Sequence, residues 1–186
     1  MIDKLVLGIA GLPGSGKSTV ASVAASEGWT VISMGDIVRE FAAELGLKPT
    51  AENIGALAVK LRGERGPIVI AEECVKRARK LPSDFLVIEG LRSLEELEFF
   101  RSSFKRFMLL GVVAPDERRF RNLYLRGRED DPRAFQEFKA RERREELLGL
   151  RRLLPEAECI IVNDEGLDAL EKQARTLVKG LKQLAG

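Results

Sequence analysis

Residues 11–19 read Gly-Leu-Pro-Gly-Ser-Gly-Lys-Ser-Thr, directly after an apolar stretch and at the head of a helix-forming one. The spacing is G-x-x-x-x-G-K-[ST], set between strand and helix, where it has a physical meaning. Glycines leave the backbone free to curl and gather its N–H groups round an anion. The following helix adds the positive end of its dipole. Lys17 is then placed to reach the β and γ phosphates of a nucleoside triphosphate, and Ser18 offers a hydroxyl to Mg²⁺. The expected cradle is Gly11, Pro13, Gly14, Ser15, Gly16, Lys17, Ser18 and Thr19. ATP and Mg²⁺ are the expected ligands.

A loop of this kind needs a strand that ends where a helix begins, and the rest of the chain repeats that alternation. Apolar runs at 4–10, 30–34, 85–90, 106–114 and 158–164 read as strands. Helical patterns at 17–28, 35–46, 50–66, 67–81, 93–103, 115–127, 132–148 and 166–184 separate them. Thr50 and Ser93 stand at cap positions, Ser93 with Glu96 at capping-box spacing, and Pro67 at a first turn. Continuously apolar strands between helices imply a parallel sheet covered on both faces. The expectation is one α/β domain over residues 1–186, a P-loop NTPase in three layers with a five-stranded parallel sheet. Two segments exceed a bare alternation. One is the helical run 35–81, an expected acceptor-binding insertion. The other is the charged pair within 116–150, an expected lid.

The inventory excludes other chemistries. The chain of 186 residues has no histidine and two cysteines, Cys74 and Cys159, far apart. Cys/His zinc sites and His-based nucleophilic pairs are therefore out. Both cysteines lie in apolar runs and are expected as buried thiols in a reducing compartment. No run approaches the ~20 apolar residues of a membrane helix, and no signal pattern opens the chain, so a cytoplasmic protein is expected. Few Asn and Gln among many charges fit a heat-adapted source. Net charge is only +2, but residues 105–152 hold 14 Lys/Arg against 9 Asp/Glu. That segment is a cationic surface for an anionic ligand. Acids mixed among the arginines and sparse aromatics disfavour a polynucleotide. The sequence shows neither N-K-x-D nor a D-x-x-G switch after a strand, which disfavours a regulatory GTPase and leaves mainly small kinases.

Candidate acceptor and metal residues lie just beyond strand ends, where ligands of parallel sheets bind. Asp36 and Arg39 are one helical turn apart. Asp36 is placed to orient an acceptor hydroxyl or a metal-bound water, and Arg39 to grip an acceptor phosphate. An N-terminal cap beside a solvated arginine is the plain alternative. Glu89 ends an apolar strand where such proteins keep an acid for the Mg²⁺ shell, and Arg92 follows it. Arg62, near the end of the third helical run, is a further acceptor candidate, with a solvated charged turn as its alternative. In the expected lid, Arg128, Arg141 and Arg144 are the candidates to neutralise the moving phosphoryl group. Asp130 and Asp131 are expected to hold lid arginines in place. Closure would keep water from the reaction.

The ordered set "GLPGSGKST", "GDIVRE", "EGLRS", "RGREDD" and "RERRE" resembles nucleoside monophosphate kinases on the adenylate kinase plan. It also resembles dephospho-coenzyme A kinases and, over nearly the whole chain, an archaeal adenylate kinase-related family with "GDxxRE", "PTxENxG" and "RSxxE" runs. The resemblance implies an ATP- and Mg²⁺-dependent phosphotransferase acting on a nucleotide or similar phosphorylated small molecule. It implies acceptor contacts for Arg39 and Arg92 and a lid role for the arginine after "RGREDD". It sets the segment around Val162 and Asn163 against the donor base. Asn53, within "PTAENIG", is a further acceptor candidate. The chain has "EGLRS" where adenylate kinase has "DGFPR", so the acceptor need not be AMP. A dephospho-coenzyme A kinase-like activity, a slow ATPase or regulatory nucleotide-binding module, and a nucleic-acid-associated protein stand as alternatives. A monomer or homodimer without membrane attachment is expected.

Overall fold

The computed structural model describes residues 1–147 and 149–185. Five strands form one parallel sheet: β1 (Ile2–Ala10), β2 (Thr30–Ser33), β3 (Phe85–Leu91), β4 (Phe104–Val113) and β5 (Cys159–Val162), in the order β2-β3-β1-β4-β5. The expected sheet is therefore present, with β1 in the centre. Residues 4–10 of β1 are buried throughout, as a strand covered on both faces must be. Lys4 is the polar exception. Its ammonium donates to the Leu81 and Ser83 carbonyls at 2.8 and 2.5 Å, which offsets the cost of its burial.

The helices fall on two sides. α1 (Lys17–Ser26) and α9 (Leu167–Ala185) close one face, where Val20, Ala24, Ala174 and Val178 meet Leu7, Ile9 and Val112 of the sheet. The other face is covered by α2 (Met34–Glu44), α3 (Ala51–Arg65), α4 (Val69–Lys80) and α5 (Leu94–Ser103). Ser33, Thr50 and Ser93 accept bonds from the Asp36, Asn53 and Glu96 amides, which starts α2, α3 and α5. Pro67 does not open α4. It lies in the turn before it, and the helix begins at Val69. α6 (Asp116–Arg126) and α7 (Phe135–Leu147) make the arginine-rich pair, and Glu137 accepts from the Arg133 and Ala134 amides ahead of α7.

A short α8 (Leu150–Leu153) and a 3-10 turn at 154–156 follow, which the sequence pattern did not announce. Leu150 and Leu153 anchor them in the core. Cys74 is buried as expected, whereas Cys159 is only half-buried, because β5 is an edge strand. Among the described residues no helix is long and apolar enough to cross a membrane.

Parallel pairing puts all five carboxyl ends on one edge. The connection from β1 runs towards β2 and that from β4 towards β5, so the crevice outside β1 and β4 is the topological switch point. The glycine-rich loop sits there.

Candidate active site

A cavity of about 430 Å³ opens at this edge. The loop forms its floor. Gly14 and Gly16 have φ of 80° and 113°, a backbone that side chains resist. A Cβ on Gly14 would also run into the carbonyl of Arg119 on α6. Gly11, Pro13, Gly14, Gly16, Lys17, Ser18 and Thr19 all line the cavity, and Ser15 is buried beneath it. The Lys17 ammonium folds back on the Gly11 and Leu12 carbonyls at 2.7 and 3.0 Å. Burial pulls its pKa down to about 8, with Arg92 and Arg141 adding to the pull and the Glu89 and Glu145 carboxylates opposing it.

The opposite wall is cationic. Arg39 from α2, Arg92 after β3, and Arg126, Arg128 and Arg141 from the α6–α7 segment face the same space, with Glu89 at the end of β3. Carboxylates aim these arginines. Asp131 holds Arg126 bidentately, at 2.9 and 2.6 Å, and also accepts from the Arg128 amide at 3.0 Å. Arg141 reaches the Asp130 carbonyl at 2.7 Å and the Asp130 and Asp131 carboxylates at 3.2 Å. The expected holding role of Asp130 and Asp131 matches these bonds. Asp130 also lies 3.6 Å from Arg39, bridging α2 and the α6–α7 segment. Burial lowers the Arg141 pKa, which Asp130, Glu145 and Asp131 only partly offset.

Several residues stand elsewhere. Asp36 is half-exposed at the rim and grips Arg39 rather than lining the cavity. Asn53 donates to the Lys48 carbonyl at 2.9 Å, a local bond that ties down the approach to α3. Arg62 is buried against Glu96 at 2.7 Å and is not among the residues that line either cavity. Arg144 lines a smaller cavity of about 50 Å³ and lies close to Gly55 of α3. Asn163 lines the main cavity, and its amide is spent on the Ser15 carbonyl at 2.9 Å.

Besides Arg126, the polar residues Glu145, Arg118 and Asn122, which sequence reasoning missed, belong to the cavity wall. Glu145 pairs bidentately with Arg92 and lines both cavities. Burial opposes its ionisation, but Arg92, Arg141 and Lys17 outweigh that and lower its pKa. Arg118 donates to the Asp164 carbonyl at 2.6 Å, and Asn122 to the Gly14 carbonyl at 2.8 Å. No motif marks any of them. Glu145 is one acid among many in "RERREE".

Comparison with known proteins agrees with this fold. The sequence pattern of a family described as an AAA domain matches residues 10–139. The UPF0200 protein of Methanothermobacter thermautotrophicus is 37% identical over 182 residues, 98% of this chain and 93% of that protein. Among solved structures, shikimate kinase from Bacteroides thetaiotaomicron is 13% identical with a TM-score of 0.57, covering 94% of this chain and 98% of its own. A gluconokinase from Sinorhizobium meliloti is 14% identical with a TM-score of 0.57, covering 100% and 97%. At such identity the likeness is one of fold. The chain belongs to the UPF0200 family and has the fold of the P-loop kinases.

Proposed function

We propose that the protein is an ATP-dependent phosphotransferase that moves the γ-phosphoryl group to a nucleotide or similar phosphorylated small molecule. One observation carries this reading. Lys17 on the loop and Arg141 from α7, both held below their ordinary pKa on balance with burial as the largest cause, share one cavity with Arg39 and Arg92. A polyanion on the loop side and an anionic acceptor on the other satisfy both sets.

The donor triphosphate lies on the loop, with Lys17 on its β and γ oxygens. An acceptor oxygen attacks the γ phosphorus in line, the bond to the β–γ bridging oxygen breaks, and ADP leaves. Arg128 and Arg141 neutralise charge growing on the equatorial oxygens. Arg39 and Arg92 hold the acceptor's anionic group. Asp36 serves by aiming Arg39, and Arg144 faces the acceptor from the smaller cavity. Asn163 acts on the loop that carries the donor.

Mg²⁺ fits the donor set. Among the described residues no cluster of three or more His, Cys, Asp or Glu forms a metal cage. Ser18 and Glu89 both line the cavity, and so small a donor set suits an ion that keeps its waters and borrows phosphate oxygens. Bound there, Mg²⁺ would neutralise charge on the β and γ phosphates.

The test is ADP release from ATP, with and without each member of an acceptor panel. The panel holds nucleoside monophosphates, dephospho-coenzyme A, shikimate and gluconate. At least one phosphorylated member is expected to stimulate turnover. Arg39→Ala should raise its KM by about 10–100-fold, the worth of a charged hydrogen bond. Turnover indifferent to every acceptor, and to Arg39→Ala, would leave an ATPase instead.

A further inference from the structure

Five consecutive carbonyls of the phosphate loop are tied down by side chains from three parts of the chain. Lys17 takes Gly11 and Leu12 from within the loop's own helix. Arg119 reaches the Pro13 carbonyl at 3.4 Å, Asn122 the Gly14 carbonyl at 2.8 Å, and Asn163 the Ser15 carbonyl at 2.9 Å. A peptide unit is planar and trans, so fixing a carbonyl also fixes the direction of the next residue's N–H. The ties therefore set which way the loop's amides face.

Two of these side chains come from α6, the helix that leads into the arginine-rich segment. Arg119 and Asn122 are three residues apart and so share one helix face. Arg119 is itself held on several sides. It is 1% exposed, is paired with Asp116 and Glu142, and also donates to the Ala114 carbonyl. The Gly14 backbone abuts the Arg119 backbone so closely that no Cβ fits between them. One turn beyond Asn122, the same helix ends at Arg126, and Arg126 and Arg128 line the cavity. Loop tip and cavity arginines are thus joined through one helix.

We propose that Asn122 is a positioning residue, tying the Gly14 carbonyl to α6 so that the arginine-rich segment holds the phosphate loop in its anion-binding shape. The proposal rests on the loop's binding a triphosphate, the first half of the function proposed above. It does not depend on which acceptor is used. Its action runs through the loop, so it concerns phosphates rather than the nucleoside.

The experiment measures affinity for ATP and for inorganic tripolyphosphate by calorimetry on the full chain. It compares wild type, Asn122→Leu, Asn122→Gln and Lys17→Ala, and records melting temperature without ligand. Asn122→Leu is expected to weaken both ligands equally, by about 10-fold, the worth of one hydrogen bond. Its melting temperature should hold, and Asn122→Gln, which keeps the amide, should recover most of the affinity. A loss confined to ATP would mean that Asn122 touches the nucleoside, and would overturn the proposal. So would unchanged affinity in Asn122→Leu, or a loss that follows a fallen melting temperature and is not recovered by Asn122→Gln. Lys17→Ala separates the two levels. If it binds both ligands as wild type does, the triphosphate reading itself fails. If it loses them while Asn122→Leu does not, only the positioning role fails.

Discussion

Lys17→Ala is expected to cut phosphoryl transfer by about 10²–10³-fold, the usual cost of losing one preorganised charge-stabilising donor. It should also release the Gly11 and Leu12 carbonyls that the ammonium now holds. The wild-type lysine should show itself in pH dependence as well. Burial sets its pKa near 8 before ligand binds, below its ordinary 10.5. Phosphates favour the charged form, so ATP binding takes up a proton once pH exceeds that value. Affinity should be level below about 8 and fall above it, by up to ~10-fold per pH unit. The same shift acts on stability with opposite sign. Between about 8 and 10.5 the unfolded chain binds the proton that the folded chain has lost. Stability from this group therefore rises with pH across that window. Calorimetry in buffers of different ionisation heat would count the proton taken up.

The second large effect concerns stability. Arg62 sits with 8% of its side chain exposed against Glu96, which is wholly buried. Two of its nitrogens reach one Glu96 oxygen at 3.2 and 2.7 Å, while the other oxygen accepts from the Arg92 amide at 2.8 Å. Arg62→Ala strands a buried carboxylate, which costs about 3–5 kcal/mol. For a domain of this size that is a fall of roughly 10 °C in melting temperature. Acceptor KM should stay within about 2-fold of wild type, since Arg62 lines neither the main nor the smaller cavity. Arg62→Met with Glu96→Gln should recover part of the stability, because no charge is then left alone. A stable Arg62→Ala with a raised KM would return Arg62 to the acceptor site.

That pair also shows where sequence reading runs out. The phosphate loop was legible because its residues are contiguous and its strand and helix flank it. The sheet was legible because strands buried on both faces must be apolar along their length. The arginine-rich segment announced itself by density alone. Facing is harder. α7 carries charge on nearly every side, so its pattern does not tell that Arg141 turns to the main cavity and Arg144 to the smaller one. Arg62 and Glu96 meet across 34 residues, a pairing that no local spacing reveals. Asn53 lost its expected place to a bond within its own turn, and Asp36 to Arg39, both short-range contacts that compete with any ligand. α8 was missed because Leu150 and Leu153 stand among Arg151, Arg152 and Pro155, too short a run to show a period.

The decisive experiment follows labelled γ-phosphate from ATP. The protein is incubated with γ-labelled ATP and the acceptor panel, and the label is traced by chromatography. Label in one phosphorylated acceptor, matched one to one by ADP, is the result expected of converging arginines. Label found only as inorganic phosphate, at the same rate whatever acceptor is added, would contradict it.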